Sequence, residues 1–249
     1  MSASFPHGSG HDGLIRKLAS IASVSRDERI GLQALPILMR SFPADQEIVR
    51  DGDDPDHCCL LIEGFMHCYK QLETGKRQIV SFHIPGDLPD LQTMQLNVMD
   101  HALGTLTPCV VAFIPHRALH LLVGEFPNLA VAFWRDSLIN AAIFREWVVN
   151  VGCRPGPQRL AHLFCELFYR LETVGLAHKD GCEMPLTQAV LGDATGLSSV
   201  HVNRMMQDLR GRGLIATKAK FLQILDREKL QDFAGFDPTY LHMKEVLSP

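Results

Sequence analysis

From Asn128 to Val151 the chain runs without a proline or a glycine. Nothing in the stretch breaks a helix, and at about 1.5 Å per residue such a helix is about 35 Å long. Ala130, Trp134, Ser137, Ala141, Phe144, Val148 and Val151 step alternately by four and three residues. That spacing makes a seam of coiled-coil type, over about three heptads. Phe133, Leu138, Ile143 and Trp147 are apolar as well. One stripe suffices to pack the helix on its own domain, so the second invites a partner helix. The alternative is a helix buried on all sides within one large domain.

The texture on either side differs. After the leading "MSASFPHGSGHDG", which reads as a short flexible tail, "SRDERIGLQAL" has Ser25 with Glu28 three residues on, a capping-box pattern that predicts a short helix. From about Ile37 to Ile114 short apolar runs alternate with Gly and Asp-Gly turns, the pattern of an all-β barrel or sandwich. "LETGKR" lies between two alternating runs and predicts a hairpin turn. "HRALHLLVGEF" predicts a short helix closed by Pro127. Beyond the long helix, Pro155, Gly156 and Pro157 mark a hinge and domain boundary. A helix follows from Gln158 to about Val174, with Leu160, Leu163, Phe164, Leu167, Phe168 and Leu171 on one face.

The next segment carries the chemistry. Thr187 can cap a helix over "QAVLGDAT", Gly196 permits a left-handed turn, and Ser198 can cap a second helix to about Gly211. Val202, Met205, Met206 and Leu209 fall on one face of that helix and can pack on the first. Ser199, Val200, Asn203 and Arg204 fall on the other, near its N-terminal end. This is the part of a recognition helix that meets base edges. Arg can bond guanine bidentately and Asn adenine, and a capped N-terminus offers free N–H groups to a phosphate. "GLIATKAKFLQILD" predicts a β-hairpin wing turning at Lys-Ala-Lys. The alternative is a helix pair without special role.

Net charge is −4, which argues against an indiscriminate nucleic-acid coat. Between Leu197 and Leu225, however, Arg204, Arg210, Arg212, Lys218 and Lys220 stand against Asp208 alone, a local basic face. No apolar run is long enough to span a bilayer, and the start lacks the basic and apolar regions of a signal peptide. The seven cysteines form no C-x-x-C pair. They read as buried thiols of a reducing, cytoplasmic compartment.

In this order, the segments resemble the CRP/FNR superfamily of bacterial transcription regulators. "FPADQEIVRDGDDPDHCCLLIEGFMHCYKQLETGKRQIVSFHIPGD" is similar to the first half of their sensor barrel, including Gly52, Gly64, Gly75 and Gly86. The long helix is similar to their dimerisation helix, and "LTQAVLGDATGLSSVHVNRMMQDLRGRGLI" to their winged helix-turn-helix. The resemblance implies an α+β fold: a flexible tail (1–24), a cyclic-nucleotide-binding-like β-barrel of jelly-roll type (25–127), a dimerisation helix (128–153) and a winged helix-turn-helix domain (154–249). It implies a homodimer that binds double-stranded DNA at a two-fold-related site and contacts RNA polymerase. The dimer contacts would be the seam from Ala130 to Val151. The DNA contacts would come from Thr187, Gln188, Ser198, Ser199, Val200, His201, Asn203 and Arg204, with Lys218 and Lys220 in the wing.

Several positions depart from that family. Relatives that bind cyclic AMP have Gly-Glu-Leu followed by an Arg that clamps the cyclic phosphate. Here Pro89 and Asp90 stand near the first place, and Asp100 or His101 at the second. A carboxylate repels a cyclic phosphate and removes a charge-assisted pair, so cyclic AMP is not expected to bind in the family manner. No Cys precedes Cys58, so the N-terminal iron–sulfur cluster of oxygen-sensing relatives is not expected. Cys58 and Cys59 read as structural thiols rather than a redox switch, and His57, His67, His83 and His101 as no metal site. Another small effector stays open. In the reading helix, Val200 stands where relatives carry a cytosine-reading Glu, and only Arg204 is kept as a strong base reader. Ser198 and His201 stand where phosphate is contacted. Two rival readings are a cyclic-nucleotide-responsive regulator and a cupin-like metal-dependent barrel enzyme. The second needs a His-x-His pair, which none of the 12 His residues forms.

Overall fold

The computed structural model describes residues 10–243. Two compact units divide the chain: Met1–Met66 with His83–Ser137, and His67–Phe82 with Leu138–Pro249.

The first unit opens with helices α1 (Asp12–Ile21) and α2 (Arg26–Gln33). It continues through strands β1 (Leu38–Phe42), β2 (Glu47–Val49) and β3 (His57–Glu63). After the hairpin of β4 (Met66–Gln71) and β5 (Arg77–His83), the chain returns with β6 (Ala102–Thr105), β7 (Cys109–Pro115) and helix α3 (His116–Glu125). Strand β7 lies between β1 and β3, antiparallel to both, with Leu38 opposite Phe113 and Cys58 opposite Ile114. Strand β2 pairs with β6. The expected barrel is therefore jelly-roll-like but not closed: the β1-β7-β3 sheet ends at β1, whose residues are mostly exposed. Leu60, Leu61, Leu103, Val111, Ala112 and Ile114 form its buried core.

Ser25 caps α2 as its sequence predicts. Its Oγ accepts the Glu28 amide at 3.2 Å, and Glu28 Oε2 accepts the Ser25 amide at 2.7 Å. The expected tail is corrected where it is described: Asp12–Ile21 is helix α1, while residues 1–9 lie outside the described residues. Leu14, Ile15, Leu18 and Ile21 bury one face of it. Lys17 reaches inward from the same helix, its Nζ 2.9 Å from Asp87 Oδ1 and 2.9 Å from Asp136 Oδ1. Burial opposes its charge, yet Asp136 and Asp87 outweigh burial and hold its pKa above the usual lysine value. A cation held between two buried carboxylates fixes α1 in place.

Helix α4 (Pro127–Cys153) is continuous, and α5 (Gly156–Thr173) follows almost at once. Pro157 sits in the first turn of α5, where a missing N–H costs nothing, so the helix starts two residues before the predicted Gln158. All six apolar residues predicted for its inner face are buried. The second unit ends with β8 (Ala177–His178), β9 (Gly181–Glu183), α6 (Gln188–Thr195), α7 (Ser199–Gly211), β10 (Ile215–Lys218), β11 (Phe221–Ile224) and α8 (Arg227–Ala234). The wing hairpin β10–β11 carries β9 and β8 beside it in one four-stranded sheet. Buried Glu166 of α5 accepts Trp147 Nε1 at 3.1 Å and Tyr240 Oη at 2.8 Å. Those bonds tie the end of α4 and the C-terminal segment to α5.

Six of the cysteines are buried, Cys58 and Cys59 completely. Cys153 is the correction to the buried-thiol reading. It is exposed because it lies at the last turn of α4, where the chain leaves its packed face. Burial pushes the Cys165 and Cys182 thiols up to about 12, which leaves them as inert hydrophobes.

Candidate nucleic-acid interface

The helix pair forms where its caps place it. Thr187 Oγ1 accepts the Val190 amide at 3.2 Å, and Ser198 Oγ accepts the His201 amide at 3.3 Å. Between them Gly196 takes φ +69°, the left-handed conformation that ends α6. Val202 and Leu209 are fully buried on the inner face of α7, as predicted. Met205 and Met206 are half-buried, and Met205 lies against Gly156 at the start of α5.

The outer face is open. Thr187, Gln188, Ser198, Ser199, Val200, His201 and Arg204 are exposed, Val200 by 79%. Asn203 is half-buried and so presents less of its amide than its place in the helix suggested. Ser198 Oγ also lies 2.9 Å from His201 Nδ1, which holds the hydroxyl and the imidazole together at the helix start. Lys218 and Lys220 are exposed at the wing turn, on either side of Ala219 with φ 53°. Arg210 Nη1 donates to Thr217 Oγ1 at 3.0 Å and so fastens the far end of α7 to the wing. The surface thus combines a capped helix N-terminus, an exposed guanidinium and two wing ammonium groups.

Two features of this site went unpredicted. Gln207 is exposed three residues beyond Arg204, on the same face, and the helical spacing from Val200 through Arg204 was signal enough to find it. Gly192 is the other. A Cβ there would stand 2.5 Å from the Leu197 carbonyl oxygen, so the close return of the chain needs glycine inside α6.

The seam of α4 is also exposed. Ala130, Trp134, Ser137, Phe144 and Val148 face solvent, and Ala141 and Val151 are half-buried. Trp134 is 66% exposed and Val148 73%. Of the second stripe, Phe133, Ile143 and Trp147 are buried, whereas Leu138 joins Val131 on the exposed side.

Among the described residues no group of three or more His, Cys, Asp or Glu is placed to hold a metal, and no helix is long and apolar enough to cross a membrane. His57 is instead bonded to Asp56, its Nδ1 2.8 Å from Oδ1.

A jelly-roll-like domain, a long helix and a winged helix-turn-helix with an open, basic reading surface together define a DNA-binding transcription regulator. Residues 39–125 match the cyclic nucleotide-binding domain family and residues 158–233 the Crp-like helix-turn-helix domain family. The chain belongs to the CRP/FNR superfamily of transcription regulators. It is similar to the transcriptional activator protein FnrL of Cereibacter sphaeroides, 24% identical over 230 residues, which cover 90% of each chain. The fumarate and nitrate reduction regulatory protein of Escherichia coli is also 24% identical, over 190 residues and 76% of each chain. The structure of FixK2 from Bradyrhizobium japonicum superposes with a TM-score of 0.73 at 22% identity, over 80% of this chain and 98% of that one.

Proposed function

We propose that the protein acts as a homodimer on a two-fold-related DNA site, without cyclic AMP as its signal. The observation that carries this reading is the apolar stripe left open on α4 while Phe133, Ile143 and Trp147 of the second stripe are buried. An exposed apolar surface of this kind marks an association site, and a second copy of the same helix offers the matching seam. Two reading helices related by the dimer axis then demand two half-sites. Within each half-site Arg204 bonds a guanine, Val200 meets a thymine methyl and Asn203 adds a polar contact. Ser198, Ser199, His201, Thr187 and Gln188, with Lys218 and Lys220, contact the phosphates. The superfamily's partner on promoter DNA, RNA polymerase, completes the assembly.

The exclusion of cyclic AMP is supported by Asp90. It stands near the family's ribose-binding segment, is wholly buried, and turns its carboxylate onto the Cys59 amide. Asp100, near the place of the phosphate-clamping Arg, is exposed and bonded to His101 Nδ1 at 2.6 Å. Neither offers a cation to a cyclic phosphate.

Selection of bound duplexes from random DNA, with and without cyclic AMP, tests the reading. An enriched two-fold motif, bound equally well in both conditions, is the expected result. Recovery of no two-fold motif overturns the dimeric reading, and sharp tightening by cyclic AMP overturns the exclusion.

A further inference from the structure

Within the second unit the β4–β5 hairpin lies against the helix-turn-helix. Arg77 of β5 donates from Nε to Asp193 Oδ2 at 2.9 Å, and its Nη2 is 2.8 Å from the same oxygen. Its guanidinium also sits over the Tyr69 ring, 5.4 Å from the centroid. Next along the strand, Gln78 Nε2 donates to the Ala194 carbonyl at 3.2 Å. From α5, Arg159 Nη1 donates to the Thr195 carbonyl at 3.0 Å, while its Nε donates to the Arg154 carbonyl at 2.7 Å. At the far end of β5, Arg170 Nη2 donates to the Phe82 carbonyl at 2.9 Å and anchors the strand to α5.

The bonds from Arg77 Nε, Gln78 Nε2 and Arg159 Nη1 converge on three consecutive residues, Asp193, Ala194 and Thr195, which are the last turn of α6. The carbonyls of a last turn have no partner within their own helix. Here two are taken by side chains, and the cationic groups also suit the negative end of the helix. The connection from there to α7 is short: Gly196, Leu197 and the cap Ser198, with the Leu197 amide bonded back to the Gly192 carbonyl at 3.1 Å. The end of α6 therefore fixes where α7 begins.

We propose that Arg77 and Gln78 are positioning residues for operator recognition, a clamp from the β4–β5 hairpin that sets the placement of the reading helix. They touch no base. Their role is to hold α7 at the spacing that lets both half-sites be read at once, and this consequence rests on the protein acting as a dimer. Arg77 and Asp193 side chains are each 34% exposed, so the pair adds little to stability. Geometry is what it controls.

The test uses the full chain, the operator recovered by selection, and the same operator with its half-sites moved by one base pair either way. Arg77→Ala is expected to weaken binding to the selected operator about threefold to fivefold, the range an exposed ion pair supports. The Arg77→Ala/Gln78→Ala double variant should weaken it further and flatten the preference among spacings. Affinity for an isolated half-site and the thermal midpoint should stay at wild-type values, and the exchanged pair Arg77→Asp/Asp193→Arg should restore the preference. A double variant with wild-type spacing preference, or one that binds more tightly, overturns the clamp. Equal losses on half-site and full operator also overturn it, because they mean local damage to the reading helix. Failure of the dimeric reading would look different, since the wild-type protein itself would then show no spacing preference.

Discussion

Both carboxylate oxygens of Asp90 reach the Cys59 amide, at 2.8 and 3.0 Å, across 31 residues of sequence. The bond joins the start of the short 3-10 helix Leu91–Met94 to strand β3. Asp90→Ala removes both carboxylate bonds to the buried Cys59 amide and should cost about 1–3 kcal/mol, read from urea unfolding. Burial raises the Asp90 pKa to about 6, only partly opposed by the Cys59 amide. A carboxyl whose folded pKa exceeds its unfolded value stabilises most below the unfolded value and loses that contribution as pH rises through the folded one. The stability of the wild type relative to Asp90→Asn should therefore fall between about pH 4 and pH 7, then level off. A difference that is flat over this window would place the carboxylate charge elsewhere.

Lys17 holds two buried carboxylates together. Lys17→Met removes the cation and leaves Asp87 and Asp136 facing each other in the core of the first unit. Breaking a buried ionic cluster in this way costs about 3–5 kcal/mol. The expected readout is a lower unfolding midpoint for Lys17→Met, with part of the loss recovered when Asp136→Asn is added. An unchanged midpoint would mean that α1 contributes nothing to the domain.

His162 of α5 is almost wholly buried, and burial together with the nearby Arg154 charge lowers its pKa to about 3. Its Nε2 lies 3.2 Å from Glu146 Oε1, but that oxygen is engaged by Arg154 Nη2 at 2.6 Å, so the ring stays neutral. The sign is opposite to that of Asp90: the unfolded chain binds the proton more readily, so stability is lost as pH falls below about 6.5. His162→Gln should make unfolding less sensitive to acid between pH 6.5 and pH 4, as followed by circular dichroism. Equal acid sensitivity in both proteins would count against a neutral buried ring.

Trp134 projects from the open stripe near its N-terminal end. In the proposed dimer, Trp134→Glu puts a charge from each chain into the apolar seam and should weaken dimer formation by about 2 kcal/mol or more. Sedimentation equilibrium reads this as a shift toward monomer. The fold of each unit should persist, because the side chain is mostly exposed in its own chain.

Arg204→Ala should cost about 1–3 kcal/mol at one base pair and relax the preference for guanine there. Lys218→Ala should instead weaken binding to all sequences alike and lower the slope of log K against log salt by about one. Binding isotherms on operators varied at single positions separate the two effects.

The parts of this protein that were legible in the sequence are the locally determined ones. The caps Thr187 and Ser198, the turn at Gly196 and the inner face of α7 depend on residues within a few positions of each other. The seam of α4 was visible in its spacing, but the alternative of a helix buried on all sides was settled only by the exposure of Ala130, Trp134, Ser137, Phe144 and Val148. Helix α1 had a readable pattern, with Leu14, Ile15, Leu18 and Ile21 at helical intervals, but the glycines and serines before it masked its start. Strands β8 and β9 are two and three residues long, too short for any periodicity. The bonds Lys17–Asp136 and Arg77–Asp193 join residues 119 and 116 apart. No local pattern encodes such pairs; they exist only once packing has brought distant elements together. Val200 was visible as a departure, whereas the half-burial of Asn203 depended on how α7 lies in its own unit.

In the dimer proposed above, the stripe of α4 is covered only when two chains meet, which makes assembly second order in the chain. Well below the dissociation constant of the dimer, doubling the amount of protein raises the dimer about fourfold. The occupancy of its operators then follows abundance more steeply than abundance itself changes. Synthesis and degradation of the chain become an input in their own right, one that requires no bound small molecule to be read.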